Sequence, residues 1–565
     1  MRIPILFLAA GLAWSQQTTV TVLATTDMHG NLFPIDYATD QPAARGLAKV
    51  ATLIRAAEAA APNHLLIDCG DTIQGTPLES AYQTLVRTGL GPLGLKPVAP
   101  LAQDPMMLAM NLLGYDAMAV GNHEYNFGLK NLAKARSEAR FPWLSANTAV
   151  APGGKDRPYD AFILKTVAGV KVAVIGITTP AIPTWEKPEN IGSYRFLSPV
   201  DALKKAVAGL RAREHPDLIV VAAHTGLGRN LDTGQPESPD ENQAYAMAVG
   251  VPDVDGIVFG HSHNQLEGRM VGNVLLVQPK NWAISLARLD FTMEPKPAGG
   301  FAVVKKTSRL IPVTAATEPA PDVLAIGKPY QDFAERYLDT PVASSPAPLS
   351  AALGRVEDTA IVDDVQDVQL FYSKADVSFA SVFNPSVRVP QGQVTVRQIA
   401  ALYPYDNTLY VVEGDGKMVK DALENAARYY LSCEGARCSQ LPLADRSVVG
   451  YNYDMAQGVQ YEIDLTRPAG ARLRNLRYHG APLAPGQKLR IAINNYRAAG
   501  SAGYSMFSAA KIVWRSSEEI RDMIVHYYTD RKTLPATVDN HWRLLPDAAR
   551  QTLEQDAQSA RPPLQ

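Results

Sequence analysis

From residue 19 to about 315, short apolar runs alternate with stretches of helical period. Strands are predicted at 20–25, 65–68, 117–120, 143–146, 172–178, 218–223, 256–259 and 274–278. Between several of them, apolar residues recur at helical spacing over 43–60, 105–113, 129–138, 200–214 and 241–249. Short, nearly unbroken apolar runs suit strands buried on both faces, and their alternation with helices predicts an α/β domain. The strand count also suits two packed sheets flanked by helices.

The pattern changes near residue 316. Residues 314–321 and 340–349 are rich in Pro, Ala, Ser and Thr, and a helix is predicted between them at 322–338, with Pro329 as a site for a kink or restart. The segment 316–349 therefore reads as a linker with a helix. A second domain follows over 350–545, with strands at 377–381, 408–413, 459–464, 473–478 and 489–494 and helices at 418–430 and 517–527. Residues 546–565 read as a polar, frayed tail. No internal repeat is visible.

Length and composition narrow the picture. With 565 residues the chain exceeds what one core organises, and 46% hydrophobic with 19% charged residues describe a globular protein rather than a disordered one. A net charge of -2 with no basic stripe excludes a nucleic-acid polymer as an expected partner. Residues 1–15 read as a secretory leader: Arg2 gives the positive end, an apolar segment follows, and Ala13-Trp14-Ser15 offers a small-x-small cleavage site. A periplasmic or secreted location is expected, with no stable membrane anchor, because no later run reaches ~20 apolar residues and no Cys follows the leader. Oligomeric state is left open, with a monomer plausible. Of the three cysteines, Cys433 and Cys438 bracket a turn and suit a local disulfide, whereas Cys69 reads as a small buried residue.

The chemistry gathers at the predicted strand ends. Asp27-Met28-His29-Gly30, Gly70-Asp71, Gly121-Asn122-His123-Glu124, Ala223-His224-Thr225 and Gly260-His261-Ser262-His263 each close an apolar run. Open sheets carry their sites at the carboxyl ends of strands, so these segments should converge. By chemistry and order, one cation site would use Asp27, His29, Asp71 and His263, and a second Asp71, Asn122, His224 and His261. Asp71 is shared because a carboxylate has two oxygens. Mixed nitrogen and oxygen donors suit two divalent ions of Mn, Zn, Fe or Co, and the absence of Cys argues against a thiolate site. Two such ions about 3.5–4 Å apart activate water and hold phosphoryl oxygens. His123, adjacent to a ligand but unassigned, is the candidate acid for the leaving oxygen. Each of these residues alone also fits a turn former or a satisfied core histidine.

The segments Thr26-Asp27-Met28-His29-Gly30-Asn31-Leu32, Asp68-Cys69-Gly70-Asp71, Gly121-Asn122-His123-Glu124 and Gly260-His261-Ser262-His263 resemble those of calcineurin-like metallophosphoesterases. The chain is most similar to the two-domain periplasmic 5′-nucleotidase and 2′,3′-cyclic-nucleotide 2′-phosphodiesterase/3′-nucleotidase family. That resemblance extends to Tyr403-Pro404-Tyr405-Asp406-Asn407-Thr408 and Asn494-Asn495-Tyr496-Arg497. It implies a four-layer αββα metallophosphoesterase domain over 19–315 and a smaller mixed α/β C-terminal domain that binds substrate across an interdomain cleft. It also implies metal roles for the seven ligands and a catalytic role for His123.

Three departures bear on substrate. The aspartate that pairs with the catalytic histidine in 5′-nucleotidases is Asn126 here, and the 123–128 run and the 31–45 stretch look more like the cyclic-phosphodiesterase branch. The Asn-Gly-Gly-Gly-Ile-Arg pattern of 5′-nucleotidases is replaced by Asn384-Pro385-Ser386-Val387-Arg388, from which Arg388 and Asn384 are candidates for phosphate or ribose contact. The ribose-binding carboxylate of Gly-Gly-Asp-Gly-Phe is absent from Gly500-Ser501-Ala502-Gly503-Tyr504. Tyr405 and Tyr496 occupy the places where relatives sandwich the base. The expected activity is hydrolysis of 2′,3′-cyclic nucleotides to 3′-nucleotides and then to nucleosides and phosphate. Alternatives are a 5′-nucleotidase, a hydrolase of nucleotide sugars or dinucleotides, or a non-catalytic binding protein on a degenerate scaffold.

Overall fold

The computed structural model describes residues 17–151, 159–236, 241–405 and 407–559; the expected leader at 1–15 lies outside them. The chain divides into two compact units. The first comprises residues up to Ile35 and Pro42–Gln331, and the second Asp36–Gln41 and the chain from Asp332 onward.

In the first unit, β1 (Thr18–Thr25), α1 (Leu47–Ala60), β2 (His64–Asp68), β3 (Ala117–Ala119) and β4 (Trp143–Leu144) come first. They are followed by β5 (Phe162–Val167), β6 (Val170–Thr178), α2 (Pro199–Arg213), β7 (Leu218–His224), α3 (Ala244–Gly250) and β8 (Gly256–Phe259). The last strands are β9 (Leu266–Val271), β10 (Val274–Gln278), β11 (Ser285–Pro295) and β12 (Phe301–Pro312). Two six-stranded sheets result, in the orders β12-β11-β1-β2-β3-β4 and β9-β10-β8-β7-β6-β5. Strands β1 to β4 are parallel, as are β6, β7, β8 and β10.

Alternation along the strands sets the layers. Val20, Val22, Ala24, Leu65 and Ile67 of one sheet pack with Val172, Val174, Val220, Ala222 and Val258 of the other in a single core. On the outer face of the second sheet, Ile175, Ile219, Val221, Ile257 and Phe259 pack with Leu203, Val207 and Leu210 of α2 and with Met247 of α3. Helix α1 buries Val50, Ile54 and Ala57 and neighbours β11. Two sheets face to face between helices make the four-layer αββα domain that the resemblance implies.

The antiparallel pair β11–β12 was not expected. Its outer strand carries Lys305, Lys306 and Arg309 among its apolar residues, so the period-two pattern of a half-exposed edge is interrupted. The predicted helix over 43–60 begins only at Leu47, because Gly46 holds φ at 98° immediately before it.

Helix α4 (Pro321–Leu338) continues through Pro329. The small-residue segment after it is not a plain linker: Pro341–Ser345 pairs with Gly392–Thr395, and Leu349–Ser350 with Arg388–Val389. The second unit also holds α5 (Ala360–Ser373), β13 (Val377–Ser381), β14 (Thr408–Asp415), α6 (Gly416–Ala426) and β15 (Asp454–Gln457). The strands β16 (Gln460–Asp464), β17 (Leu473–Tyr478), β18 (Ala481–Pro482), β19 (Lys488–Asn494), β20 (Ile512–Glu519) and β21 (Trp542–Leu545) follow. A five-stranded sheet runs β15-β13-β19-β14-β20 and a four-stranded one β18-β17-β16-β21. Where a helix was predicted over 517–527, β20 runs on to Glu519 before a helix at Ile520–Arg531. Cys433 and Cys438 form a disulfide, and Cys69 is a buried free thiol. No helix among the described residues is long and apolar enough to cross a membrane.

The polar tail also differs from expectation. Asp547–Ser559 is a helix that buries Ala549 and Leu553, while its remaining residues are polar enough to mask the anchor in sequence. Leu553→Ala is expected to destabilise the second unit by about 2–4 kcal/mol, as large-to-small changes at buried leucines do. Urea unfolding followed by circular dichroism measures this; a frayed tail would show no change.

Candidate metal centre

Each candidate ligand sits at or just past the carboxyl end of a parallel strand. Asp27 and His29 follow β1, Asp71 follows β2, Asn122 follows β3, His224 ends β7, and His261 and His263 follow β8. The turns that present them are tight. Asp27, His29, Asp71, His261 and His263 hold φ at 48°, 48°, 58°, 69° and 54°. This left-handed backbone is uncommon for residues with a side chain, and Asp and His are among those that tolerate it best. It costs on the order of 1–3 kcal/mol per residue and clusters at functional sites.

Glycine permits the close approach of these turns. A Cβ on Gly121 would lie 2.2 Å from Asp71 Oδ1, and one on Gly260 would lie 2.3 Å from Asp27 Oδ2. Glu124 locks two of the turns together. Its buried carboxylate accepts from the backbone N–H groups of Asp71 (2.9 Å), Gly121 (2.7 Å) and Thr72 (2.6 Å). Carboxylates bonded to backbone N–H groups make strong, charge-assisted contacts.

The side chains converge as two groups joined by Asp71. Donor atoms of Asp27, His29 and His263 lie within 4.8 Å of one another, and so do those of Asp71, His224 and His261. Asp71 Oδ2 is 3.0 Å from His224 Nε2 and 3.8 Å from His29 Nε2, so one oxygen faces both groups. Asn122 Oδ1 lies 3.0 Å from His224 Nε2, and His29 Nε2 is 2.9 Å from His263 Nε2. The ring orientation is set from behind. His29 Nδ1 donates to the Gln74 carbonyl (3.0 Å) and His224 Nδ1 to that of Cys69 (2.9 Å), which turns both Nε2 atoms inward.

The electrostatics favour cations. Burial pushes His29 and His261 down to about 3, with nearby imidazoles adding to the effect, so both rings are neutral donors. Burial opposes ionisation of Asp27 and Asp71 as well. It is outweighed at Asp27 by the hydrogen bond with His263 and the charge of His224, and at Asp71 by His224 and His123. Both carboxylates are held below their usual range. Against its burial, His224 is pushed up to about 10 by Asp71. The buried pair of carboxylates thus draws positive charge to this point, and the nitrogen and oxygen donor set fits divalent transition ions.

His123 borders the cluster. Its backbone N–H donates to Asp71 Oδ1 (2.8 Å), and its Nε2 lies 4.0 Å from Asp71 Oδ2. Its Nδ1 donates to Asn126 Oδ1 (2.6 Å), and the Asn126 amide donates to Glu186 Oε2 (2.6 Å). Glu186, Glu124 and Trp185, whose ring centroid is 5.3 Å from that of His261, were not found by motif reading. Glu124 was visible within Gly121-Asn122-His123-Glu124, but nothing in the sequence marks Glu186, sixty positions beyond its partner.

The candidates in the second unit are more dispersed in their roles. Tyr405 is 38% exposed and packs edge-on against Phe383 (5.0 Å between centroids), beside Tyr451 at 6.5 Å. Tyr496 is half-buried on the short helix Asn495–Ala498. Arg388 is exposed and donates to the carbonyls of Pro385 and Val387, both at 2.8 Å. Asn384 accepts from the Ser386 N–H (2.9 Å) and shapes the same loop.

Residues 20–265 match the calcineurin-like phosphoesterase family, and residues 340–509 match the family described as 5′-nucleotidase, C-terminal domain. The chain is 28% identical to the 2′,3′-cyclic-nucleotide 2′-phosphodiesterase/3′-nucleotidase of Haemophilus influenzae, covering 93% of this chain and 87% of that one. It is also 28% identical to the trifunctional nucleotide phosphoesterase of Bacillus subtilis over 94% of this chain, but spans only 39% of that relative's length. Among solved structures, one from Staphylococcus aureus carrying a 5′-nucleotidase designation, in complex with α-ketoglutarate, superposes with a TM-score of 0.76 at 25% identity. It covers 93% of this chain and 100% of the other.

Asp71→Asn preserves the shape of the shared residue and removes its charge. Metal content per chain, by mass spectrometry of the reloaded protein, is expected to fall below two, and turnover of an activated phosphodiester to fall by about 10–100-fold or more, the loss that even an outer-shell partner brings. Two retained metals with wild-type turnover would exclude Asp71 as the shared ligand.

Proposed function

The chain belongs to the phosphoesterases that join a calcineurin-like domain to a 5′-nucleotidase C-terminal domain, and on that premise we propose that it opens 2′,3′-cyclic nucleotides to 3′-nucleotides and then releases phosphate from these. The observation that carries the phosphoesterase reading is the convergence of Asp27, His29, Asp71, Asn122, His224, His261 and His263 beside His123. The similarity to the Haemophilus influenzae enzyme supports the choice of substrate.

Divalent cations, when held by these residues, supply Lewis-acid activation of water and neutralise charge at the phosphoryl group. The chain's own residues do the rest. His29 and His224 are fixed as Nε2 donors by the carbonyls behind them. His123 is the proton donor. With both ring nitrogens protonated, Nε2–H gives its proton to the leaving 2′-oxygen as the phosphorus–O2′ bond breaks, while a water oxygen bonds to phosphorus from the opposite side and releases a proton to solvent, from which His123 is reprotonated. In the second reaction the 3′-oxygen leaves in the same way. Asn126 holds Nδ1–H but carries no charge; Glu186, reached through the Asn126 amide, supplies the negative end of the chain. The base falls to Tyr405 and Tyr496, whose rings would contribute about 1–3 kcal/mol each by stacking.

The competing 5′-nucleotidase reading lacks one expected hold on the ribose. Ala502 stands in the 3₁₀ turn Ser501–Gly503 at the place of the expected carboxylate, with its carbonyl taken by Asn425.

Two measurements test this reading. The value of kcat/KM is expected to be higher for 2′,3′-cyclic AMP and 3′-AMP than for 5′-AMP. A tenfold preference for 5′-AMP over the cyclic ester, about 1.4 kcal/mol at the transition state, would promote the 5′-nucleotidase reading. Separately, Glu186→Ala should lower kcat about tenfold for 3′-AMP, whose leaving alkoxide needs a proton, and far less for p-nitrophenyl phosphate, whose leaving group does not. Equal losses on both substrates would remove Glu186 from the proton path.

A further inference from the structure

A separate set of ligand-type side chains lies wholly within the second unit. Asp358 precedes α5, Asp363 occupies its first turn, and Asp539 and His541 lead into β21. One donor atom from each lies within 4.8 Å of all the others. Three carboxylate oxygens gather on a single ring nitrogen. His541 Nδ1 is 2.9 Å from Asp358 Oδ2, 3.7 Å from Asp363 Oδ1, and in hydrogen-bond contact with Asp539 Oδ1. A ring nitrogen carries at most one proton and cannot satisfy three carboxylate oxygens.

The carboxylates are held so that free oxygens remain. Asp358 Oδ2 accepts the His541 N–H (2.9 Å), Asp363 Oδ2 accepts the Asp539 N–H (3.2 Å), and Asp539 Oδ2 accepts from Gln457 Nε2 (3.4 Å). The second oxygens of Asp358 and Asp363 are buried and have no hydrogen-bond partner. The Asp363 side chain is 7% exposed, and its unpartnered Oδ1 faces His541 Nδ1. Buried carboxylate oxygens without partners are costly, and a hydrogen bond, a paired charge or a coordinated metal is what compensates them. Asp539, 48% exposed, leaves the cluster open to solvent on one side.

We propose that Asp358, Asp363, Asp539 and His541 bind one divalent cation, a structural site that ties the start of α5 to the last strand. Three carboxylates give net negative charge, and the imidazole selects Mn²⁺ or Zn²⁺ over Ca²⁺, which takes oxygen ligands. The site needs nothing from the strand-end cluster of the first unit, so the two readings stand or fall separately.

The test uses the full chain, stripped with a chelator, reloaded with Zn²⁺ or Mn²⁺ and freed of excess. Wild-type protein is expected to retain a cation in the second unit. Anomalous diffraction from Zn²⁺-loaded crystals should show a peak about 2.0–2.2 Å from the four donor atoms. Asp363→Asn with Asp358→Asn should lower the metal count by one per chain, leaving turnover of an activated phosphodiester unchanged. Asp71→Asn should leave the second-unit peak in place. The absence of a peak at this cluster in wild-type crystals, an unchanged metal count in the double variant, or binding of Ca²⁺ alone would overturn the proposal. If the double variant does not fold, the wild-type crystals decide.

Discussion

The carboxylate of Asp71 facing several imidazoles in a buried site is the constraint that the first unit is built to satisfy. A fully buried anion is tolerated only where positive charge or donors meet it. Here one oxygen meets the His123 N–H, while the other faces His224 and His29. Bringing those groups together requires two sheets stacked closely enough that strand ends from both reach one point. Asp27, Asp71 and Asn122 come from the first sheet, and His224, His261 and His263 from the second. The inter-sheet core of Val20, Val174, Val220 and their neighbours sets that separation.

Holding Asp27, His29, Asp71, His261 and His263 in left-handed turns costs free energy, which the surrounding contacts offset. Glu124 accepts N–H groups from both the Asp71 turn and Gly121, so two strand ends are tied to one carboxylate. Asp27 is fastened in turn by the His261 N–H, at 3.0 Å from each of its oxygens. Such preorganisation matters for a phosphoryl-transfer site, because catalysis there rests on positioning and electrostatics more than on covalent chemistry.

The parallel core was legible because strands buried on both faces read as continuous apolar runs, and the residues closing those runs are the ones that converge. Where one face meets solvent the reading failed: β12 and β20 mix charges with apolar residues. Asp547–Ser559 failed for a related reason, since Ala549 and Leu553 alone are buried within a polar helix. Contacts that join distant positions left no trace either. Glu186 meets Asn126 across 60 positions, and Asp358 meets His541 across 183. Local spacing carries no information about such pairs.

Asn126 illustrates why a single-residue departure is a poor guide to chemistry. Read alone, an amide beside the His123 imidazole removes the charge that an aspartate would supply. In the folded chain the amide passes a hydrogen bond on to Glu186, so negative charge is displaced by one side chain rather than lost. Distance weakens the interaction, since Coulomb energy falls with separation, but the buried setting keeps the effective dielectric low. Burial also raises Glu186 despite its bonds to Asn190 and Asn126, so the carboxylate is less firmly ionised than an exposed one. An amide bonded to a buried carboxylate thus retains part of the electrostatics that a direct carboxylate partner would give, at one side chain's remove.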